Sequence, residues 1–254
     1  IVFSEVNYVG TVNLIESAST LPNLKNFVFA STMEVYGWQP ISDLIRDGLE
    51  EGIIAFDEDT QPNPNAPYAV AKYGCEKYLE YAHRSLGLPF TAIRQTNAYG
   101  RKDNDFFVTE QIITQMLKDP NEINLGYGEP YRNFIYIDDL LDAWQQVIEN
   151  PDKCQGEIFC IGPENAIKIK DYVDMIAEKL EWKGTVNWDT KPPRPGEIYI
   201  LNSTNAKITS KLGWEPKVEL SDGLDKTIAV WKDIIENEKP HNHDMPHRKF
   251  SKGK

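Results

Sequence analysis

The chain has 254 residues, 41% of them hydrophobic, enough to bury a sizeable core in one large domain or in one domain with a small lobe. Its net charge of −12 and pI near 4.9 argue against nucleic acid as the main partner, while anionic small ligands, which need only a few well-placed arginines, stay open. The three cysteines, Cys75, Cys154 and Cys160, have no paired spacing and read as buried thiols of a reducing compartment. No apolar run approaches about 18 residues and no signal-peptide pattern is present, so the expectation is a cytoplasmic protein with no membrane span and no metal site.

Val9, Val12, Leu14, Ile15 and Ala18 predict a helix over residues 5–19. The run KNFVFAS predicts a short buried parallel strand. Residues 37–66 are rich in Pro, Asp and Glu and read as a loop with one short helix. A strong helix is expected from Pro67 to near Leu86, since proline suits a first helical position. PFTAIRQ is a second buried strand, followed by the loop NAYGRKDND. Phe106–Leu117 is predicted helical, NEINLGY and RNFIYI strand-like, and Asp138–Glu149 an amphipathic helix.

The stretch EIFCIGPENAIKIKDYVDMIAEKL reads as strand, turn and helix, and TVNWDTKPPRPGEI as a strand running into a proline-rich loop. Helices near Asn205–Leu212 and Asp222–Glu238 close the globule, and residues 239–254 read as a disordered tail whose histidines are solvated. Strands alternating with helices predict an α/β fold with a parallel sheet. The glycine-rich turn that normally opens a dinucleotide-binding sheet does not occur in the sequence.

Tyr68 and Lys72, in PYAVAKYGCEKYL, are four apart and share one helix face. Their place distinguishes them from an ordinary surface pair: the first turn of a helix, after a strand that ends in Ser-Thr. A phenol titrates near pH ~10, and lowering that to ~7 requires roughly 4 kcal/mol of preference for the phenolate. An ammonium about 4–5 Å away contributes roughly 3–4 kcal/mol at an effective dielectric near 20, and the helix N-terminus up to about 1 kcal/mol. Desolvation opposes both. The sums are comparable, so Tyr68 is a candidate general base, with Thr32 placed to share a hydrogen bond with the same substrate hydroxyl.

Six stretches, NYVGTVNLIESA, FVFASTMEVYG, PYAVAKYGCEKY, RQTNAYGR, YRNFIYIDDL and RPGEI, resemble in their order the motifs of the extended short-chain dehydrogenases/reductases, the NAD-dependent nucleotide-sugar epimerase/dehydratase family. The resemblance implies a Rossmann-type doubly wound parallel sheet with a smaller α/β substrate-binding lobe. Residues 1–100 would form the C-terminal part of the Rossmann domain. Residues 101–238 would be mostly substrate lobe, with some segments returning to the sheet. The match begins midway through the family's Rossmann domain, so a glycine-rich half of roughly 60–90 further residues is expected upstream.

The resemblance also implies roles. Tyr68 is the base; Lys72 lowers its pKa and holds the nicotinamide ribose; Ser31 lies beside the cofactor; Thr32 orients substrate. Asn97 lies near the sugar diphosphate, and Arg132 and Arg194 grip it as only a planar guanidinium can. Glu34 is either catalytic or hydrogen-bonded to nearby backbone, and Asn7 belongs to a helix motif or merely packs. The cofactor is NAD ahead of NADP, the ligand a nucleotide-diphosphate sugar, and the assembly a homodimer.

The family's shared chemistry is transient oxidation of the sugar at C4, followed by epimerisation, dehydration or decarboxylation; keto-sugar reductases share the scaffold. Family dehydratases typically carry T-D-E after the strand, and decarboxylases often T-S-E. Here the triplet is Thr32, Met33, Glu34. A thioether has no proton to give and accepts only weakly. Met33 fills a gap against the sugar or nicotinamide, or packs in the core at the strand end. A 4-epimerase is therefore the leading expectation. The alternatives are a 4,6-dehydratase, a decarboxylase, a 4-keto reductase or, in another class, a non-catalytic binding remnant.

Overall fold

The computed structural model describes residues 3–48, 52–190, 192 and 196–237; the expected tail at 239–254 lies outside the described residues. A π-helical segment, Phe3–Val9, runs into helix α1 (Gly10–Ala18), which buries Ile15 and Ala18. Strand β1 (Phe27–Thr32) follows, then a 3-10 turn, Met33–Tyr36, and the short helix α2 (Pro40–Arg46). Helix α3 (Pro67–Leu86) has proline in its first turn and ends at Gly87 in the left-handed conformation, φ 72°. Strand β2 (Phe90–Gln95) comes next.

The predicted loop after it opens with a strand, β3 (Asn97–Tyr99), because residues far along the chain supply its partner. Helix α4 (Val108–Lys118), strands β4 (Glu122–Asn124), β5 (Tyr131–Arg132) and β6 (Phe134–Tyr136), and helices α5 (Ile137–Glu149) and α6 (Pro151–Cys154) follow. The last part holds β7 (Glu157–Ile161), β8 (Ile167–Lys168), α7 (Ile169–Lys179), β9 (Thr185–Asn187), β10 (Ile200–Leu201), α8 (Ala206–Leu212) and α9 (Leu220–Asn237). At two residues, β10 is too short to leave a periodicity in the sequence.

The central sheet has the order β1-β2-β7 and is parallel throughout, with Phe27 opposite Phe90 and Thr32 opposite Gln95. Successive side chains alternate faces. Phe27, Phe29, Phe90 and Ala92 pack with Ile15 of α1 and Cys75, Leu79 and Ala82 of α3. Val28, Ile93, Phe159 and Ile161 face Leu140, Ala143 and Val147 of α5 and Ile208 of α8. Helices thus cover both faces, the doubly wound arrangement. Burying a side chain such as Leu79, at 0% exposure, contributes about 1.5–3 kcal/mol.

A second core forms among α4, α7 and α9, around Ile112, Ile113, Tyr172, Ile176, Leu224 and Trp231. Outside the central sheet stand two strand pairs, β3-β6 and β4-β9, and a three-stranded sheet of order β10-β5-β8.

Candidate active site

β1 delivers Ser31 and Thr32 to the carboxyl end of the parallel sheet, the edge where ligands bind in open α/β folds. The chain leaves through the 3-10 turn. Thr32 Oγ1 accepts the Glu34 N–H at 3.2 Å and caps that turn. The turn ends at Gly37, φ 53°, where a Cβ would lie 2.0 Å from the Asn63 carbonyl oxygen. Without a side chain there, loop 63–65 closes on the turn: Trp38 N–H donates to Asn63 O (3.1 Å) and Asn63 N–H to Val35 O (3.0 Å). Met33 is 2% exposed and packs with Val35, Tyr36, Phe56 and Cys160. Of its two expected places, the structure puts it in the core.

Loop 63–65 feeds directly into α3, so Tyr68 stands in the helix's first turn beside β1's end. The Thr32 hydroxyl is a polar neighbour of the Tyr68 phenol. Lys72, one turn on, donates from Nζ to Ala30 O at 2.7 Å; its ammonium lies 4.8 Å from the Phe29 ring centre and 5.8 Å from that of Tyr68. Both side chains are half-buried. Burial pushes the Tyr68 phenol above its ordinary value and the Glu34 carboxylate adds to this, while the Thr32 hydroxyl opposes them. Burial also lowers the Lys72 ammonium, with Cys75 opposing. The expected depression of the phenol by Lys72 is therefore not what the protein's own groups produce: desolvation wins, and the ammonium is engaged by a β1 carbonyl.

Ser31 is turned toward α3. It is 2% exposed and its hydroxyl donates to Glu76 Oε1. Glu76, fully buried, holds Arg94 through two bonds, Nε to Oε1 at 3.1 Å and Nη2 to Oε2 at 2.8 Å. Arg94 Nη1 donates to the Tyr36 hydroxyl at 2.7 Å, and Tyr36 donates to Asp57 O and lies 3.1 Å from Cys160 Sγ. Burial opposes the Arg94 charge, but the hydrogen bond and charge of Glu76 outweigh it and the guanidinium's pKa is raised.

Of the residues expected to bind substrate, Asn97 lies on β3 and Arg132 on β5. Asn97 pairs with Phe134 across β3-β6, two residues past the Gln95 that faces Thr32, and its Nδ2 donates to Asn133 O at 3.4 Å. Arg132 on β5 donates to Tyr131 O (2.8 Å) and pairs with Glu197 at 2.7 Å. Arg194 lies outside the described residues. Gly196, two positions on, is tied to the loop before α3: Asn65 Nδ2 donates to its carbonyl at 2.9 Å, and at φ 76° a Cβ there would sit 2.8 Å from Asn65 O. Asn7 lies in the π-helical segment, where its carbonyl accepts the Cys75 thiol at 3.1 Å. A cavity of about 640 Å³ between residues 163–165, α8 and residues 215–220 includes none of the expected site residues. Among the described residues no cluster of three or more His, Cys, Asp or Glu suits a metal, and no helix is long and apolar enough to cross a membrane.

A family model described as GDP-mannose 4,6 dehydratase matches residues 1–227. The chain belongs to this family, within the extended short-chain dehydrogenases/reductases. It is 28% identical over 231 residues to a putative UDP-glucose 4-epimerase of Methanocaldococcus jannaschii, covering 89% of this chain and 69% of that protein. It is 30% identical over 234 residues to a dTDP-glucose 4,6-dehydratase of Streptomyces niveus, covering 91% of this chain and 64% of the relative. The chain thus spans about two thirds of the length of these relatives. Among solved structures, UDP-glucuronic acid 4-epimerase from Bacillus cereus, in complex with UDP-glucuronic acid and NAD, superimposes with a TM-score of 0.77 at 27% identity, over 90% of this chain and 68% of that one.

In this extended short-chain dehydrogenase/reductase the residues that the sequence reading passed over are Tyr36, Glu76, Arg94 and Asn65. Two signals were present. Arg94 is the one charge in a strand whose other residues are apolar or uncharged, and burial there demands a partner. Glu76 continues the spacing of Tyr68 and Lys72 by one more turn. Asn65 left no signal, because its partner is 131 positions away.

Proposed function

We propose that the protein is a nucleotide-sugar 4-epimerase that works through a transient 4-keto sugar with NAD bound. Membership of a family whose relatives are epimerases and dehydratases supports the general chemistry. The observation that carries the finer reading is Met33, buried among Val35, Tyr36, Phe56 and Cys160, so the turn after Thr32 has Glu34 as its sole carboxylate.

The donor set fits the nicotinamide end of NAD. A phenol and an ammonium, both half-buried on one face of α3 at the carboxyl end of the sheet, suit a ribose diol. Bound there, NAD supplies reversible hydride transfer at sugar C4. Tyr68 takes the proton from the C4 hydroxyl and returns it to the product hydroxyl. Thr32 holds that oxygen in line with the phenol. Lys72 holds the ribose and, by its charge, offsets part of the burial that raises the phenol. Arg132 and Arg194 grip the diphosphate, and Asn97 orients it. Elimination would need an acid for the departing C6 hydroxyl and a base for the C5 proton; Glu34 can serve one task and Met33 neither. A homodimer completes the reading, supported by the exposed apolar side chains Val6, Val9 and Leu14 at the first helix and Val70 and Tyr81 on α3.

The test is the mass of the product formed by the intact protein from candidate nucleotide hexoses and hexuronates with NAD. A product isomeric with its substrate is expected. Loss of water would establish a dehydratase, and loss of carbon dioxide a decarboxylase. Tight nucleotide-sugar binding with no turnover would establish a binding remnant.

A further inference from the structure

Glu76 and Arg94 are 0% and 3% exposed, and neither carries a role in the reaction proposed above. Their contacts are unusually complete. The carboxylate accepts the two guanidinium bonds and the Ser31 hydroxyl; the guanidinium also donates to Tyr36. Ser31 and Tyr36 flank the segment that carries Thr32 and Glu34, so the pair grips that segment at both ends. Glu76 itself lies on α3 at the spacing Tyr68, Lys72, Glu76, which is one stripe along the helix. One buried ion pair therefore joins the helix that bears the phenol to the turn that bears its hydroxyl partner.

We propose that the Glu76–Arg94 pair is a positioning device: it sets the rotation of α3 against the end of β1, and so the meeting of the Tyr68 phenol with Thr32. The proposal rests on Tyr68 being the base of the reaction proposed above. Stability alone is a poor reason for such a pair, because well-packed apolar residues of similar volume do as well or better. What apolar residues lack is direction. A bidentate fork has one good geometry, whereas a hydrocarbon contact tolerates sliding and rotation. A displacement near 1 Å at a reacting group can cost about 100-fold in rate.

The decisive variant is the double replacement Glu76→Leu with Arg94→Met in the intact protein, which removes both charges and keeps the volume. Its melting temperature should stay close to wild type, while kcat falls about 10–100-fold at a KM within about twofold. Arg94→Lys, which keeps the charge and loses the fork, should also lose kcat. A readout without turnover is the 13Cζ resonance of Tyr68, assigned by its loss in Tyr68→Phe; it should shift in the double variant as the phenol moves relative to Thr32. A folded double variant with kcat within about twofold of wild type, or with the Tyr68 resonance unmoved, overturns the proposal. Should the double variant not fold, Tyr36→Phe removes one tether and keeps the ion pair; a lower kcat at unchanged KM supports the positioning role, and an unchanged kcat overturns it. Absence of turnover in the wild type would sink the epimerase reading, and the Tyr68 resonance would still decide this one.

Discussion

The Arg94–Glu76 pair is 3% and 0% exposed, whereas the Arg132–Glu197 pair is 15% and 27% exposed. Both are arginine–glutamate contacts shorter than 3 Å, on β2 against α3 and on β5 against the loop before β10. The buried pair has its oxygens and nitrogens taken up by Ser31, Tyr36 and one another. The outer pair is joined by an Nη2–Oε1 bond, with Arg132 Nη1 on the Tyr131 carbonyl. In low dielectric a lost partner leaves an uncompensated charge, while near solvent water replaces it. Identical chemistry is therefore closed off from solvent in one place and open to it in the other.

The sharpest way to break this contrast is Arg94→Met alone, which leaves Glu76 charged, buried and unpaired. It should destabilise the protein by about 3–5 kcal/mol, read by denaturant unfolding. A loss near that expected for Arg132 would mean that water reaches Glu76. Tyr68→Phe probes the ground between the pairs. Turnover should fall about 10²–10⁴-fold, with nucleotide-sugar affinity within a few fold by calorimetry. Unchanged rates would remove Tyr68 from the mechanism.

Arg132→Ala should do the reverse, weakening nucleotide-sugar binding by roughly 1.5–3 kcal/mol, the worth of a charge-assisted contact, and barely moving the melting temperature. The smallest effect is expected from Glu197→Gln. Stability should change by less than about 1 kcal/mol, because a partly exposed pair contributes little. Affinity should rise a few fold, since an internal anion no longer competes for Arg132. Weaker binding would show instead that Glu197 aims the guanidinium.

Much of this was legible beforehand where it depended on neighbours in sequence. The i, i+4 spacing of Tyr68 and Lys72, the proline that starts α3 and the apolar runs of β1 and β2 each carry their structural consequence locally. The short strands β3 and β10 were not legible, because two or three residues acquire a strand conformation only from a partner, Phe134 for Asn97 and Tyr131 for Ile200. The inward bond of the Ser31 hydroxyl was not legible either, because its acceptor, Glu76, is 45 positions away.

By itself the sequence determined the order of the longer elements, the α3 face that Tyr68 and Lys72 share and the family to which the chain belongs. Three matters were left to the tertiary structure: which group neutralises Arg94, that Met33 packs inward, and that the Tyr68 phenol is raised rather than lowered by the protein around it. The physical reason is common to all three. Burial and dielectric at a point are sums over every segment that closes around it, and those segments come from β1, loop 54–65, α3, β2 and β7, up to 124 positions apart.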